Sequence, residues 1–279
     1  MSRKVTCTPI GCGVLVILFI IGSIVNAFSS QDTYTQSAHP SHSITAEPNT
    51  DPTETATPEA TPPPSPTPTA EVKPAKNTAL ALLGKLKVKA LGPQSGYKRE
   101  AKFGAAWIDV DGNGCDTRND ILRRDFEDII REDGCTIKEG IIDDPYTGDT
   151  IHFVRGRGTS LAVQIDHIVA LSDAWKTGAT KWSQDKRIAF ANDPLNLVAV
   201  DGPTNGAKGD DDAAWWLPPR RKVWCWYVAH QVSVKYEYGL WITPDEKVAM
   251  TEVLTTCPTQ KAYKSDYPEL VATGDLYTR

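Results

Sequence analysis

The stretch "VQIDHIVALSDAW" (residues 163–175) sets an aspartate and a histidine, Asp166 and His167, inside a largely apolar run. Its first part, "SLAVQID" (residues 160–166), alternates like a strand. A polar pair at a strand end needs no chemistry by itself, so the flanking sequence decides its meaning. "PLNLVAV" (194–200) reads as the next strand and carries Asn196. "GPTNGAKGDDDAAWWLPP" (202–219) reads as a Gly/Asn loop entering a helix that Pro218 ends, with Asn205 in the loop and Lys208 one turn on. The order is a strand with Asp-His, a strand with Asn, a loop with Asn, then a helix.

Outward from this centre, apolar spacing predicts a short helix over Asn77–Leu91. A second helix is predicted from near Thr117 to Gly134, with Ile121, Leu122, Phe126, Ile129 and Ile130 on one face. A strand is expected over Thr150–Val154, and "SQDKRIAFAND" (183–193) reads as a helix broken by Pro194. "RRKVWCWYVAHQVSVKYEYG" (220–239) reads as an amphipathic helix stopped by Gly239. Thr243 and Glu246 form a capping box, with Pro244 at the first helical position, opening a last helix to about Thr255. Trp215, Trp216, Trp224 and Trp226 are expected in the core, with stacking of one of them on a base as the alternative. The class is α+β, mostly helical, with few strands.

The chain has 279 residues. Residues 31–76 are Thr, Pro, Ser, Ala and Glu with almost no large apolar side chain, and read as a disordered stalk. The folded domain is therefore expected over residues 77–279, roughly 200 residues, enough for a substantial core. In residues 1–30, Arg3 and Lys4 precede an uncharged apolar run from Pro9 to Phe28, roughly 20 residues and about the length that spans a bilayer. It reads either as a transmembrane anchor or as a secretory signal cleaved after Ala27. Both place the domain outside the cell, tethered or released.

Cysteine usage agrees with export. Beyond Cys7 and Cys12, Cys115, Cys135, Cys225 and Cys257 form an even set. Of their three pairings, Cys115–Cys135 and Cys225–Cys257 are favoured, each stapling the ends of one predicted helical segment. Residues 1–70 hold two of the 30 Lys and Arg and five of the 35 Asp and Glu, leaving the rest of the chain at −2. A polyanion ligand would therefore be held by local cations and a metal rather than by a global field.

"IDHIVALSDAW…FANDPLNLVAVDGPTNGAKGD" resembles the HNH nucleases, whose ββα-metal motif (His-Me finger) has this order of elements. "FGAAWIDVDGNGCDTRND", "DPYTG" and "WLPP" extend the likeness. Together they resemble exported actinobacterial HNH proteins of the GmrSD restriction-endonuclease C-terminal-domain family, over about Leu80–Pro258. The resemblance implies a metal-dependent endonuclease with a nucleic-acid substrate, DNA in preference to RNA, and no protein partner.

The chemistry suits those residues. Neutral His167 can take a proton from water. Asp166 and Asn205 offer oxygens to a hard cation, Mg²⁺ or Mn²⁺, which needs only one or two protein ligands. Lys208 would be a point charge on the phosphate, and by resemblance Asn196 would hold the loop that orients His167. Many family members carry a second His where Asn205 stands, and the change favours an oxygen-loving metal over zinc. Arg118, Arg155 and Arg157 are candidates to grip phosphate, with helix or loop ion pairing as the alternative. Asp109, Asp111 and Asn113 match the first half of a calcium loop, but position twelve is Asp120 rather than Glu. That loop leaves three further readings: structural Ca²⁺ in the domain, a non-catalytic calcium-binding surface module, or an Asx-rich turn fixed by the Cys115 disulfide. His152 and His230 are expected to be structural or surface residues.

Overall fold

The computed structural model describes residues 74–273. The expected targeting segment (1–30) and nearly all of the expected stalk lie outside the described residues. Among those described, no helix is long and apolar enough to cross a membrane.

The domain is α+β, with two small sheets and two disulfides. Helices α1 (Ala79–Leu83), α2 (Arg99–Phe103) and α3 (Thr117–Asp125) precede an antiparallel sheet of β1 (Glu127–Glu132), β2 (Thr136–Asp143) and β3 (Thr150–Val154). Strand β4 (Val163–His167) leads through α4 (Leu171–Lys176) and α5 (Gln184–Asn192) to its antiparallel partner β5 (Leu197–Asp201). Then follow α6 (Gly202–Lys208), α7 (Trp224–Tyr238), α8 (Pro244–Thr255) and α9 (Tyr267–Thr273).

The β4–β5 pair is buried on both faces, which explains the uninterrupted apolar run of β5. Val163, Ile165, Leu197 and Ala199 pack toward α3 and the three-stranded sheet. Val198 and Val200 pack the other way, with Tyr146, α1, α7 and α8. A third apolar cluster joins α2, α4 and α5 through Phe103, Trp175 and Phe190. Three charged side chains from distant segments meet in the interior: Lys235 of α7 lies 2.9 Å from Asp173 of α4 and 2.5 Å from Glu246 of α8. This ties α4, which begins four residues after His167, to the two longest helices. Burial alone would lower the pKa of Lys235, but the two carboxylates outweigh it and raise it.

Several expectations need correction. The helix expected over Asn77–Leu91 is confined to Ala79–Leu83. The helix expected to end at Pro218 stops at Lys208, where the Gly209 N–H donates to the Asn205 carbonyl. The helix predicted to Gly134 stops at Asp125, and Glu127–Glu132 is a strand, because Ile130 and Arg131 pair with Glu139 and Ile137 of β2. Cross-strand bonding there overrides an apolar spacing that also suits a helix. Asn196 sits in a 3-10 turn, Pro194–Asn196, just before β5. Asn205 lies inside α6 rather than in a loop, since Asp201 caps that helix by accepting from the Thr204 N–H, and Pro203 occupies its first turn. Trp215 is exposed, whereas Trp216, Trp224 and Trp226 are partly buried.

Both expected disulfides are present, Cys115–Cys135 and Cys225–Cys257. Neither spans a single helix. The first joins the start of α3 to the β1–β2 turn, and the second joins α7 to the end of α8. The capping box at Thr243 and Glu246 is formed as expected.

Candidate active site

The Asp-His pair closes β4, and the chain turns there because a buried asparagine holds it. Asn196 accepts from the Val169 N–H (2.8 Å) and donates to the carbonyls of Val169 and Phe190. Its own carbonyl accepts from the Ile168 N–H. The two residues after His167 are thereby clamped to the turn before β5.

His167 is buried, and its Nε2 lies 2.8 Å from the Ala191 carbonyl oxygen. A carbonyl can only accept, so Nε2 carries the proton and Nδ1 is left as the basic nitrogen. Burial, helped by the charge of Arg99, lowers the histidine pKa to about 4, so the ring is neutral at physiological pH. The Trp107 indole lies nearly parallel to it, at 15° with centroids 6.3 Å apart.

Asp166 is also buried. Lys208 donates to both of its carboxylate oxygens at 2.7 Å and to the His167 carbonyl at 2.6 Å. The Tyr146 hydroxyl donates to Oδ2 at 2.5 Å, and burial together with Asp166 holds that phenol well above its usual pKa. These bonds use three of the roughly four acceptor positions of a carboxylate, leaving one on Oδ1.

Asp166, His167 and Asn205 line one open cavity of about 410 Å³, together with Arg99, Trp107 and Arg118. The Asn205 amide nitrogen donates to Gln164 Oε1, which leaves the amide oxygen as the atom that can ligate a cation. One carboxylate oxygen and one amide oxygen, without a thiolate or a second imidazole, suit a hard cation that keeps most of its waters. Because Lys208 offsets Asp166, the two arginines make the cavity cationic in a chain of net charge −5.

The remaining candidates separate clearly. Arg118 is in the cavity wall, its guanidinium donating to the Val163 carbonyl, and burial is the main cause of its lowered pKa. Lys208 is not placed to meet a phosphate: its ammonium is wholly buried against Asp166. Arg155 is spent on the Ile137 carbonyl and Asn119, and Arg157 is exposed in the loop before β4; neither lines the cavity. Asp109, Asp111 and Asn113 lie outside the cavity in a loop that satisfies itself. Asp109 accepts from the N–H groups of Gly112 and Gly114, Asp111 from Asn113, and Asn113 Oδ1 from Cys115. Among the described residues no three or more His, Cys, Asp or Glu side chains group as a metal site. His152 is exposed on β3, and His230 stacks on Tyr263.

Sequence reasoning missed Tyr146, Arg99, Trp107 and the Ala191 carbonyl. Tyr146 and Trp107 lie in "DPYTG" and "FGAAW", stretches that extend the family likeness without marking a role, Arg99 lies outside the quoted stretches, and a carbonyl leaves no trace in residue identity.

The family model described as "GmrSD restriction endonucleases, C-terminal domain" matches residues 99–253. A protein of Arthroderma benhamiae described as an uncharacterized secreted protein is 42% identical over 186 residues, covering 66% of this chain and 87% of that protein. No solved structure matches.

Proposed function

Because the chain belongs to the family of the GmrSD restriction-endonuclease C-terminal domain, we propose that it is an HNH-type nuclease that hydrolyses phosphodiester bonds with His167 as general base. The observation that carries this reading is the state of His167: neutral, with Nε2 fixed on a carbonyl, and sharing a cationic cavity with Asp166 and Asn205. The strand–strand–helix order of β4, β5 and α6 supports it too.

In this reading a phosphodiester enters the cavity and meets Arg118. His167 Nδ1 accepts a proton from a water whose oxygen bonds to phosphorus, the bond from phosphorus to the leaving sugar oxygen breaks, and that oxygen takes a proton from solvent water. Asn196 keeps the imidazole aimed by clamping residues 168–169, while Lys208 and Tyr146 hold the Asp166 carboxylate. Asp166 and Asn205 would hold Mg²⁺ or Mn²⁺, which when bound offsets charge on the phosphate and the leaving oxygen. DNA is the expected polymer. The secreted relative, the two disulfides and the signal-like N-terminus support work outside the cell.

The test is nicking of supercoiled plasmid with Mg²⁺ or Mn²⁺ and in EDTA, comparing the parent with His167→Ala. The parent should nick only with metal, and the variant should lose about 100-fold or more. Equal nicking by both proteins would remove His167 from the mechanism.

A further inference from the structure

The wall of the cavity that sequence reasoning left without a role comes from one short segment, residues 99–107. Arg99 opens α2 and is exposed, and among the described residues no hydrogen bond or ion pair holds its guanidinium. It lines the cavity and is near enough to His167 for its charge to act on that ring. Trp107, eight residues on, lines the same cavity and lies nearly parallel to the imidazole. Arg99, Trp107 and His167 also line a second, small recess of about 20 Å³, together with Ala191.

The segment is held at both ends. Phe103 is buried among Tyr97, Trp175 and Phe190 and anchors α2. On the other side the Ile108 carbonyl accepts from both the N–H and the hydroxyl of Thr117, pinning the residue after Trp107 to the start of α3. Between these anchors Trp107 has a φ of 58°, a left-handed backbone that is rare and strained for a bulky side chain. Strain of this kind persists only where the surroundings impose it, and here it turns an indole toward the reacting histidine. An unpaired guanidinium and a fixed indole match the two parts of a nucleotide: the cation takes a phosphate and the ring takes a base face.

We infer that Arg99 and Trp107 form a nucleotide subsite beside His167, the guanidinium binding a phosphate of the substrate strand and the indole stacking on a base next to it. The inference rests on the nuclease reading and deepens it. Stacking on Trp107 requires a base whose face is free, so the favoured substrate is single-stranded or locally unstacked nucleic acid.

Two measurements test it. Anisotropy of a fluorescein-labelled single-stranded oligodeoxynucleotide in EDTA reads binding without turnover, and plasmid nicking with Mg²⁺ or Mn²⁺ reads KM and kcat. Arg99→Gln and Trp107→Ala should each weaken binding about tenfold and raise KM more than they lower kcat. Trp107→Phe, which keeps an aromatic face, should recover most of the loss, whereas a purely packing role would give no such rescue in binding. If the parent nicks and binds while Arg99→Gln and Trp107→Ala match it in both measurements, the subsite is wrong and the nuclease reading stands. A parent that neither binds nor nicks overturns the nuclease reading and the subsite with it.

Discussion

Lys208 and Asp166, 42 residues apart, form a buried ion pair in which one ammonium reaches both carboxylate oxygens at 2.7 Å and the neighbouring His167 carbonyl at 2.6 Å. The side-chain exposures are 0% for the lysine and 5% for the aspartate. A charge so enclosed cannot be uncovered cheaply. Lys208→Met should destabilise the domain by about 3 to 5 kcal/mol, because it strands a buried carboxylate. Asp166→Asn combined with Lys208→Met should cost less than the sum of the two single changes. Urea denaturation of the four proteins measures this cycle; strict additivity would show that the pair is not coupled.

Two glycines of α6 should behave in opposite ways. A Cβ at Gly202 would sit 1.9 Å from the Leu161 carbonyl oxygen, whereas one at Gly206 meets nothing within 4 Å. Gly202→Ala should therefore force the 3-10 turn Thr159–Leu161, just before β4, away from α6, costing about 3 kcal/mol or more. Gly206→Ala should stabilise the helix by about 0.5 to 1 kcal/mol. Melting temperatures that move in the same direction for both variants would contradict this packing.

The Cys115–Cys135 bridge closes a loop with a sequence separation of 20 and fastens α3, whose Arg118 faces the cavity, to the β1–β2 turn. Replacing both cysteines with serine should cost about 3 kcal/mol. Comparing denaturation midpoints of the parent and the double serine variant checks it, and an unchanged midpoint would refute it.

Asp193 caps the turn that carries Asn196 and accepts from Tyr238, Ser265 and the Leu195 N–H. Burial raises its pKa from 3.8 to about 6 despite those bonds. A carboxyl whose pKa is raised by folding stabilises the fold fully below its unfolded pKa and loses that contribution as pH rises through the folded value. The stability of the parent relative to Asp193→Asn should thus fall by up to about 3 kcal/mol between about pH 4 and about pH 7. His167 and His230, whose pKa values are lowered to about 4, act in the opposite sense but are common to both proteins and cancel in the difference. Parallel stability profiles for the two proteins would rule out Asp193 as the titrating group.

Local chemistry along the chain was enough to place several elements and to single out residues that share one cavity. Gly239 stops α7 and the Thr243–Glu246 box opens α8, because caps act within one turn. Strand β3 carries the bounds that its alternation predicts, and Asp166, His167 and Asn205 reach one cavity from positions that spacing singled out.

What spacing could not decide was each side chain's partner. The apolar residues after Phe126 suit a helix or a strand equally, and only β2 settles them as β1. Lys208 belongs by type to a phosphate site, yet folding buries it against Asp166. Arg99 stands outside the quoted motifs and Trp107 lies in one that assigns it no role; they meet His167 because buried Phe103 anchors α2 and Thr117 pins Ile108. Caps and periodicity depend on neighbours within a few residues and are written along the chain. Charge pairing and cavity walls depend on contacts across tens of residues, and these exist only once the core has packed.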